Sequence, residues 1–167
     1  MARRFRGESR HKVDAKGRVS IPSTFRRVLE AGDPDCTDGQ RPQLVIVYGD
    51  HRRKYLECYT MEAMEEIDRK IAAKPRGSIE RQILELTYNG QSHTTEVDND
   101  GRLVLPQKLR EKIELGDEAY FIGHGDTFRI WNPDTFETEE MARARARLDD
   151  LPPDFDVASL LDGSLEG

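Results

Sequence analysis

The side chains that most often carry enzyme chemistry are present in this sequence, but they are not spaced for it. The chain has four histidines, which are His11, His51, His93 and His124. None of them forms an H-x-x-x-H or H-E-x-x-H pattern, so the sequence predicts no metal site. No serine lies in a G-x-S-x-G turn, and no glycine-rich segment has a Walker or Rossmann spacing. We therefore predict that the protein is not an enzyme and needs no cofactor.

Cationic side chains are concentrated near the N-terminus, and their chemistry is that of anion binding. Residues 1–27 contain nine Lys or Arg and only two acids, a balance of +7, although the whole chain carries −6. Lysine and arginine neutralise phosphates, and arginine also donates a pair of hydrogen bonds to the edge of guanine. The side chains that we predict to bind DNA are Arg3, Arg4, Arg6, Arg10, Lys12, Lys16 and Arg18. The alternative interpretation of such a run is a solvated charged surface.

A motif within this basic segment occurs a second time further along the chain. Residues 13–22 read VDAKGRVSIP, and residues 97–106 read VDNDGRLVLP. The similarity continues downstream, with nine identities in 21 positions between 13–33 and 97–117. Self-similarity at a fixed separation predicts one structural unit that is used twice.

Each copy of the motif is typical of a hairpin turn. The residues predicted to shape the two turns are Asp14, Gly17, Asp98, Gly101 and Arg102. The glycines take the positive φ that the turn requires, and each aspartate accepts hydrogen bonds from turn N–H groups. Two interpretations stay open for Arg18: it pairs with Asp14 and only fixes the turn, or it contacts DNA. Arg102 is expected to fix its own turn, because Asp100 replaces Lys16 there and repels phosphate.

The repeated turns must be positioned by repeated elements. Pro22 and Pro106 each fit the first turn of a short helix that follows the hairpin. A second strand pair and a longer helix come next in both halves. The predicted strands of these pairs are Leu44–Tyr48, Tyr55–Tyr59, Ala119–Ile122 and Phe128–Trp131. A helical segment over residues 78–89, with an apolar stripe, joins the halves, so the fold class is α+β.

The residues that carry the repeat resemble the MraZ family of bacterial transcriptional regulators, which has two AbrB-like halves. The matching segments are FRGE at 5–8, DAKGRVSIP at 14–22 and DNDGRLVLP at 98–106. The resemblance implies two AbrB-like swapped-hairpin β-barrel repeats that form an intrachain pseudo-dimer with flanking helices. It also implies a homo-oligomeric ring, which binds direct-repeat operator boxes upstream of cell-division and cell-wall genes, and association with the nucleoid. The arginine of the family's D-x-x-x-R motif corresponds to Arg18, and Lys16 lies in the same turn.

The repeat and the resemblance together divide the chain into four segments. These are a first AbrB-like repeat at 1–76, a connecting helix at 77–90, a second repeat at 91–148 and an acidic, disordered tail at 149–167. No apolar run approaches the roughly 18–20 residues of a membrane span, so we expect a cytoplasmic protein without membrane contact. Only 36% of the residues are hydrophobic. Because so few apolar residues form a small core, we expect the protein to gain stability by forming oligomers.

A protein of another class would share this fold. An AbrB-like structural or antitoxin-type assembly module would form the oligomer without reading an operator. Only DNA-binding data separate this alternative from a sequence-specific DNA-binding transcriptional regulator.

Overall fold

Two antiparallel sheets form the framework of the computed structural model, which describes residues 3–37 and 40–165. The strands within these ranges are β1 Glu8–Lys12, β2 Arg18–Ser20, β3 Gln43–Val47, β4 Tyr55–Thr60, β5 Ser92–Glu96, β6 Arg102–Val104, β7 Glu118–His124 and β8 Thr127–Trp131. The larger sheet has the order β1-β7-β8-β4-β3-β5, and β2 pairs with β6 in the smaller one. The predicted second strand pair of each half is confirmed to within two residues at each end.

Helices follow the strands in both halves. Their bounds are α1 Ser23–Ala31, α2 Met61–Ala72, α3 Ile79–Leu84, α4 Gln107–Lys112, α5 Pro133–Thr135 and α6 Ala142–Asp149. A π-helical turn, Glu85–Gly90, continues α3, and a second one, Phe136–Met141, lies between α5 and α6. The mixed α+β class is therefore confirmed.

Strands from the two halves of the chain are interleaved. In the larger sheet, β1 of the first half pairs with β7 of the second, and β5 of the second half pairs with β3 of the first. In the smaller sheet, Val19 of β2 lies opposite Leu103 of β6. Within the first hairpin, an isolated antiparallel bridge joins Val13 and Val19. Neither half can therefore complete its strand pairing without the other.

An aromatic cluster fixes the segment that precedes β1. The ring of Phe5 lies 5.3 Å from that of Phe25 and 5.0 Å from that of Phe128, centroid to centroid. The Phe5 N–H donates to the carbonyl of Gly125 at 2.7 Å. Phe5 is 2% exposed, so the chain is fixed to the β7–β8 hairpin at this point.

Helix α2 covers one end of the outer face of the larger sheet. Its N-cap is Thr60, whose Oγ1 accepts a hydrogen bond from the N–H of Ala63 at 3.0 Å. Met64 is buried from this helix against Val45 and Tyr59 of the sheet. This helix ends at Ala72, and the segment that joins the two repeats follows it.

The chain divides into two compact units, residues 1–133 and 134–167. The second unit contains α6, which buries none of its own residues, and a 3₁₀ helix, Val157–Leu161. Asp156 caps this 3₁₀ helix by accepting a hydrogen bond from the N–H of Ala158 at 3.0 Å. The segment for which the sequence predicts disorder therefore contains one regular element. Across the described residues, no helix is both long and apolar enough to span a bilayer.

Candidate nucleic-acid interface

The first repeated turn is built around the carboxylate of Asp14. Its Oδ1 accepts hydrogen bonds from the N–H groups of Lys16 and Arg18, both at 2.9 Å, and its Oδ2 accepts from Arg18 Nε at 2.6 Å. Gly17 has a φ of +82°, as the motif predicts. The backbone N–H of Arg18 is the main reason that the pKa of Asp14 lies below its ordinary value. The predicted turn-fixing pair between Asp14 and Arg18 is therefore present.

The second turn repeats this geometry around Asp98. Its Oδ1 accepts from the N–H groups of Asp100 and Arg102, both at 2.9 Å. Gly101 has a φ of +75°. The side chain of Arg102 is held by two carboxylates, since Nε lies 3.3 Å from Asp98 and Nη2 lies 3.2 Å from Asp100. The ion pair between Arg102 and Asp98 is therefore present in the second turn.

The two arginines differ in how much of the guanidinium is engaged. Among the described residues, the side-chain hydrogen bonds of Arg18 involve Nε alone, which leaves its terminal nitrogens available to a ligand. The Arg18 side chain is 38% exposed. The bond to Asp14 orients this guanidinium, so fixing the turn and contacting DNA are compatible roles.

Pairing of β2 with β6 brings both turns onto one narrow ribbon. Val19 and Leu103 face the core and are 1% and 0% exposed. Because side chains alternate along a strand, the opposite face carries the neighbours of these two residues, which are Arg18, Ser20, Arg102 and Val104. A two-stranded ribbon has the width that the DNA major groove admits.

Each turn also packs against the other half of the chain. The N–H of Leu105 donates to the carbonyl of Gly17 at 2.8 Å, and the N–H of Ile21 donates to that of Gly101 at 3.0 Å. Arg110 reaches the first turn, where its Nε donates to the Leu105 carbonyl at 2.9 Å. The sequence prediction missed Arg110, although its identity with Arg26 across the repeat was a usable signal.

Acidic residues limit the directions from which a polyanion can approach the first turn. A groove of about 690 Å³ on the α4 side of the turn is lined by Ala15 and Arg110 together with Glu111 and Glu114. Two carboxylates there disfavour phosphate. The exposed ribbon face is therefore the more favourable side for DNA.

Arg3 and Arg4, at the start of the basic segment, lie far from the first turn. Phe5 is bound at Gly125, beyond one end of β7, and Val13 donates to the Asp117 carbonyl at the other end. Seven residues of β7 span about 23 Å. Arg3 and Arg4 line a groove of about 460 Å³ that also contains three carboxylates, those of Glu62, Glu66 and Asp126. Local acids thus offset part of the charge of these arginines.

The remaining predicted cations lie along the edge of the larger sheet. Arg10 and Lys12 are exposed on one face of β1, opposite Tyr120 and Glu118 of β7. Arg6 is exposed just before this strand. The structure places Arg18 and Arg102 on one face of the ribbon and Lys16 in the first turn, and it spaces the other cations along an extended chain.

The groups with catalytic potential in the described part of the chain include a Ser–His pair but no metal-binding cluster. No three His, Cys, Asp or Glu side chains there are arranged to hold a metal ion. Cys58 is fully buried, and burial raises the pKa of its thiol well above the usual range. Burial lowers the pKa of His11, whose ring contacts Ser9 and Phe121. The aromatic side chains of Phe121 and Trp131 are buried in the protein itself, and that of Tyr120 is half-buried.

Comparison with known proteins identifies the same two halves. A family model described as "MraZ protein, putative antitoxin-like" matches residues 4–76 and 90–150. The chain is 66% identical over 164 residues to the transcriptional regulator MraZ of Ruegeria pomeroyi, with 98% of each chain covered. It is 46% identical to the protein of that name from Cereibacter sphaeroides, over 97% of this chain and 98% of the relative. The corresponding protein of Gluconobacter oxydans is 34% identical, with 86% and 85% covered.

Proposed function

Because the chain belongs to the MraZ family, we propose that it is a sequence-specific DNA-binding transcriptional regulator. The observation that carries this proposal is the exposed ribbon of β2 and β6, on which Asp14 holds Arg18 through Nε and leaves its terminal nitrogens available to a ligand. The name of the relatives, transcriptional regulator MraZ, supports the same class of function.

Readout is assigned to the first turn. Asp14–Arg18 carries +1, whereas Asp98–Arg102 carries −1. The second turn adds the exposed carboxylate of Asp100, which holds Arg102. Phosphate is attracted to the first of these turns and repelled by the second. Arg18 is therefore assigned to a guanine edge or phosphate, and Lys16 to the neighbouring phosphate.

The other predicted cations are assigned to the DNA backbone. Arg10 and Lys12 are exposed on the edge strand, and Arg3, Arg4 and Arg6 are exposed before it. Contacts of this kind neutralise phosphates and fix the register on the duplex without reading sequence.

The two repeats are proposed to act as an intrachain pseudo-dimer of the swapped-hairpin β-barrel type. The interleaved pairing of β1 with β7 and of β5 with β3 supports this arrangement. The corresponding division of the chain is a repeat at 1–76, a connecting helix at 77–90, a repeat at 91–148 and an acidic tail at 149–167. The two segments that match the family model support the first three of these.

The functional unit is proposed to be a homo-oligomeric ring that binds direct-repeat operator boxes upstream of cell-division and cell-wall genes, in the cytoplasm and associated with the nucleoid. Several subunits on consecutive boxes make the later contacts intramolecular, which raises avidity by roughly 10²–10⁴. A single ribbon with few cations then suffices for tight binding.

The proposal is tested by footprinting the protein on the DNA upstream of its own gene at two salt concentrations. A regulator protects repeated boxes, and its affinity falls as salt rises because counterions are released. An AbrB-like structural or antitoxin-type assembly module would protect no discrete boxes, and that result would refute the proposed operator readout.

A further inference from the structure

The segment that joins the two repeats exposes a row of large apolar side chains. Ile79, Ile83 and Leu86 recur at i, i+4 and i+7 along α3 and the π-helical turn, and they are 71%, 59% and 61% exposed. A helix in a globular protein normally buries such a stripe. An exposed apolar row of this kind marks an interaction surface.

Cations border this row. Exposed basic side chains lie in the last turn of α2 and in the loop before α3, and they are Arg69, Lys70, Lys74 and Arg76. Lys70 pairs with Glu66 at 3.5 Å. Glu80 and Glu85 are exposed beside the row itself, and Glu85 pairs with Arg81, so the four cations still outnumber the acids that remain. Arg81 is not counted among these cations, because it is 15% exposed and donates to the Lys74 carbonyl at 3.0 Å. We call this surface, the four cations with Ile79, Ile83 and Leu86, the α2–α3 corner.

The C-terminal segment has the opposite charge and its own exposed apolar residues. Residues 149–165 contain five aspartates and no Lys or Arg. Within the same segment, Val157, Leu161 and Leu165 are 52%, 85% and 67% exposed. An acidic segment with unpaired apolar side chains complements a basic corner with an unpaired apolar row.

We propose that the C-terminal segment of one subunit docks on the α2–α3 corner of a second copy of the chain. Val157 and Leu161 cover the row on α3, while the aspartates face the cations that border it. The contact joins two different surfaces, so it repeats head to tail and either closes into a ring or extends. The inference rests on the proposed homo-oligomer and names the surface that holds it together.

The contact between chains is tested with two singly substituted proteins in a Cys36→Ser background, since Cys58 is fully buried. One chain carries Ile83→Cys, and the other carries Leu161→Cys and a size tag. Oxidation of the mixture is expected to give a disulfide-linked heterodimer. The control mixture replaces Leu161→Cys by Arg27→Cys, which is exposed elsewhere, and should not crosslink.

Two results of this experiment would overturn the proposal. One is a lack of crosslink between the Ile83→Cys and Leu161→Cys chains. The other comes from a third protein that carries both Ile83→Cys and Leu161→Cys: if a crosslink forms only within that chain, the segment covers the corner of its own chain.

Charge reversal tests the electrostatic part and separates it from the proposed function. Lys74→Glu with Arg76→Glu should weaken subunit association about tenfold at low salt, and Asp150→Lys with Asp154→Lys should restore it. Mass is measured by light scattering, and affinity for one isolated box is measured in parallel. Unchanged mass in the Glu variant refutes the docking contact and leaves the oligomer standing. A monomeric parent chain refutes both, whereas loss of DNA binding by the parent refutes only the regulator.

Discussion

Replacing the two turn glycines by alanine tests the interleaved fold with a control that the repeat itself provides. Gly17 and Gly101 have φ values of +82° and +75°, so a Cβ costs about 1–2 kcal/mol of backbone strain at either position. The surroundings differ. An alanine Cβ at Gly17 would overlap the Leu105 carbonyl oxygen and lie 3.0 Å from Arg110 Nε, whereas the atom nearest to a Cβ at Gly101 is Arg26 Nη1 at 3.5 Å.

This difference sets the expected magnitudes. Gly101→Ala should lower the free energy of unfolding by about 1–2 kcal/mol, which is the strain alone. Gly17→Ala adds overpacking of about 1–3 kcal/mol, because the overlapped atom is backbone and the Leu105 N–H bond to the turn must shift. We expect a total loss of about 2–5 kcal/mol for Gly17→Ala.

The assay is urea unfolding followed through the fluorescence of the single tryptophan, Trp131, which is 4% exposed. Protein concentration is held constant, because an oligomer's apparent stability depends on it. Equal losses for the two variants would refute the packing of the first turn against the second half of the chain.

Three further predictions concern binding and pH. Neutralising Arg3, Arg4 and Arg6 together should weaken binding to all DNA sequences and lower the salt slope by about 0.9 per lost phosphate contact; an unchanged slope would remove these residues from the interface. Inserting about 5 base pairs between operator boxes should sharply reduce binding in a mobility-shift series, whereas a whole helical turn should be tolerated better; equal binding at all spacings would contradict the ring. Burial lowers the pKa of His11 below 6.5, so the unfolded chain binds this proton more readily and stability should fall as pH drops below about 6.5. His11→Asn should flatten that decline in urea titrations, and an unaltered pH profile would show that His11 does not cause it.

Local features of the fold followed directly from the sequence. The D-x-x-G-R pattern predicted both turns and their positive φ, because an aspartate that bonds turn N–H groups and a glycine immediately before a strand act over a few residues. The longer helix predicted after the second strand pair of the first half is α2, whose buried residues Met64 and Ile71 recur at helical spacing. These signals need no information from distant parts of the chain.

The arrangement of the cations could not be predicted in this way. A balance of +7 in 27 residues suggests one patch, but an extended strand separates its members by about 3.3 Å per residue. Arg3 consequently lines the same groove as Glu62 and Glu66, although these two acids lie about 60 residues away from it in the sequence. The pairing of β2 with β6, which puts Arg18 and Arg102 on one face, is likewise a contact between the two halves.

The central claim, that the first turn reads DNA and the second does not, is tested most directly by comparing Arg18→Ala with Arg102→Ala. Affinity is measured by fluorescence anisotropy on an operator duplex and on a scrambled duplex, after light scattering confirms that both variants keep the parent mass. Losing one arginine contact to a guanine costs about 1–3 kcal/mol, so Arg18→Ala should bind the operator roughly 5- to 150-fold more weakly. Arg102→Ala should bind it nearly as the parent does and show its defect in stability or assembly. Equal losses of operator affinity in two intact oligomers would contradict the account.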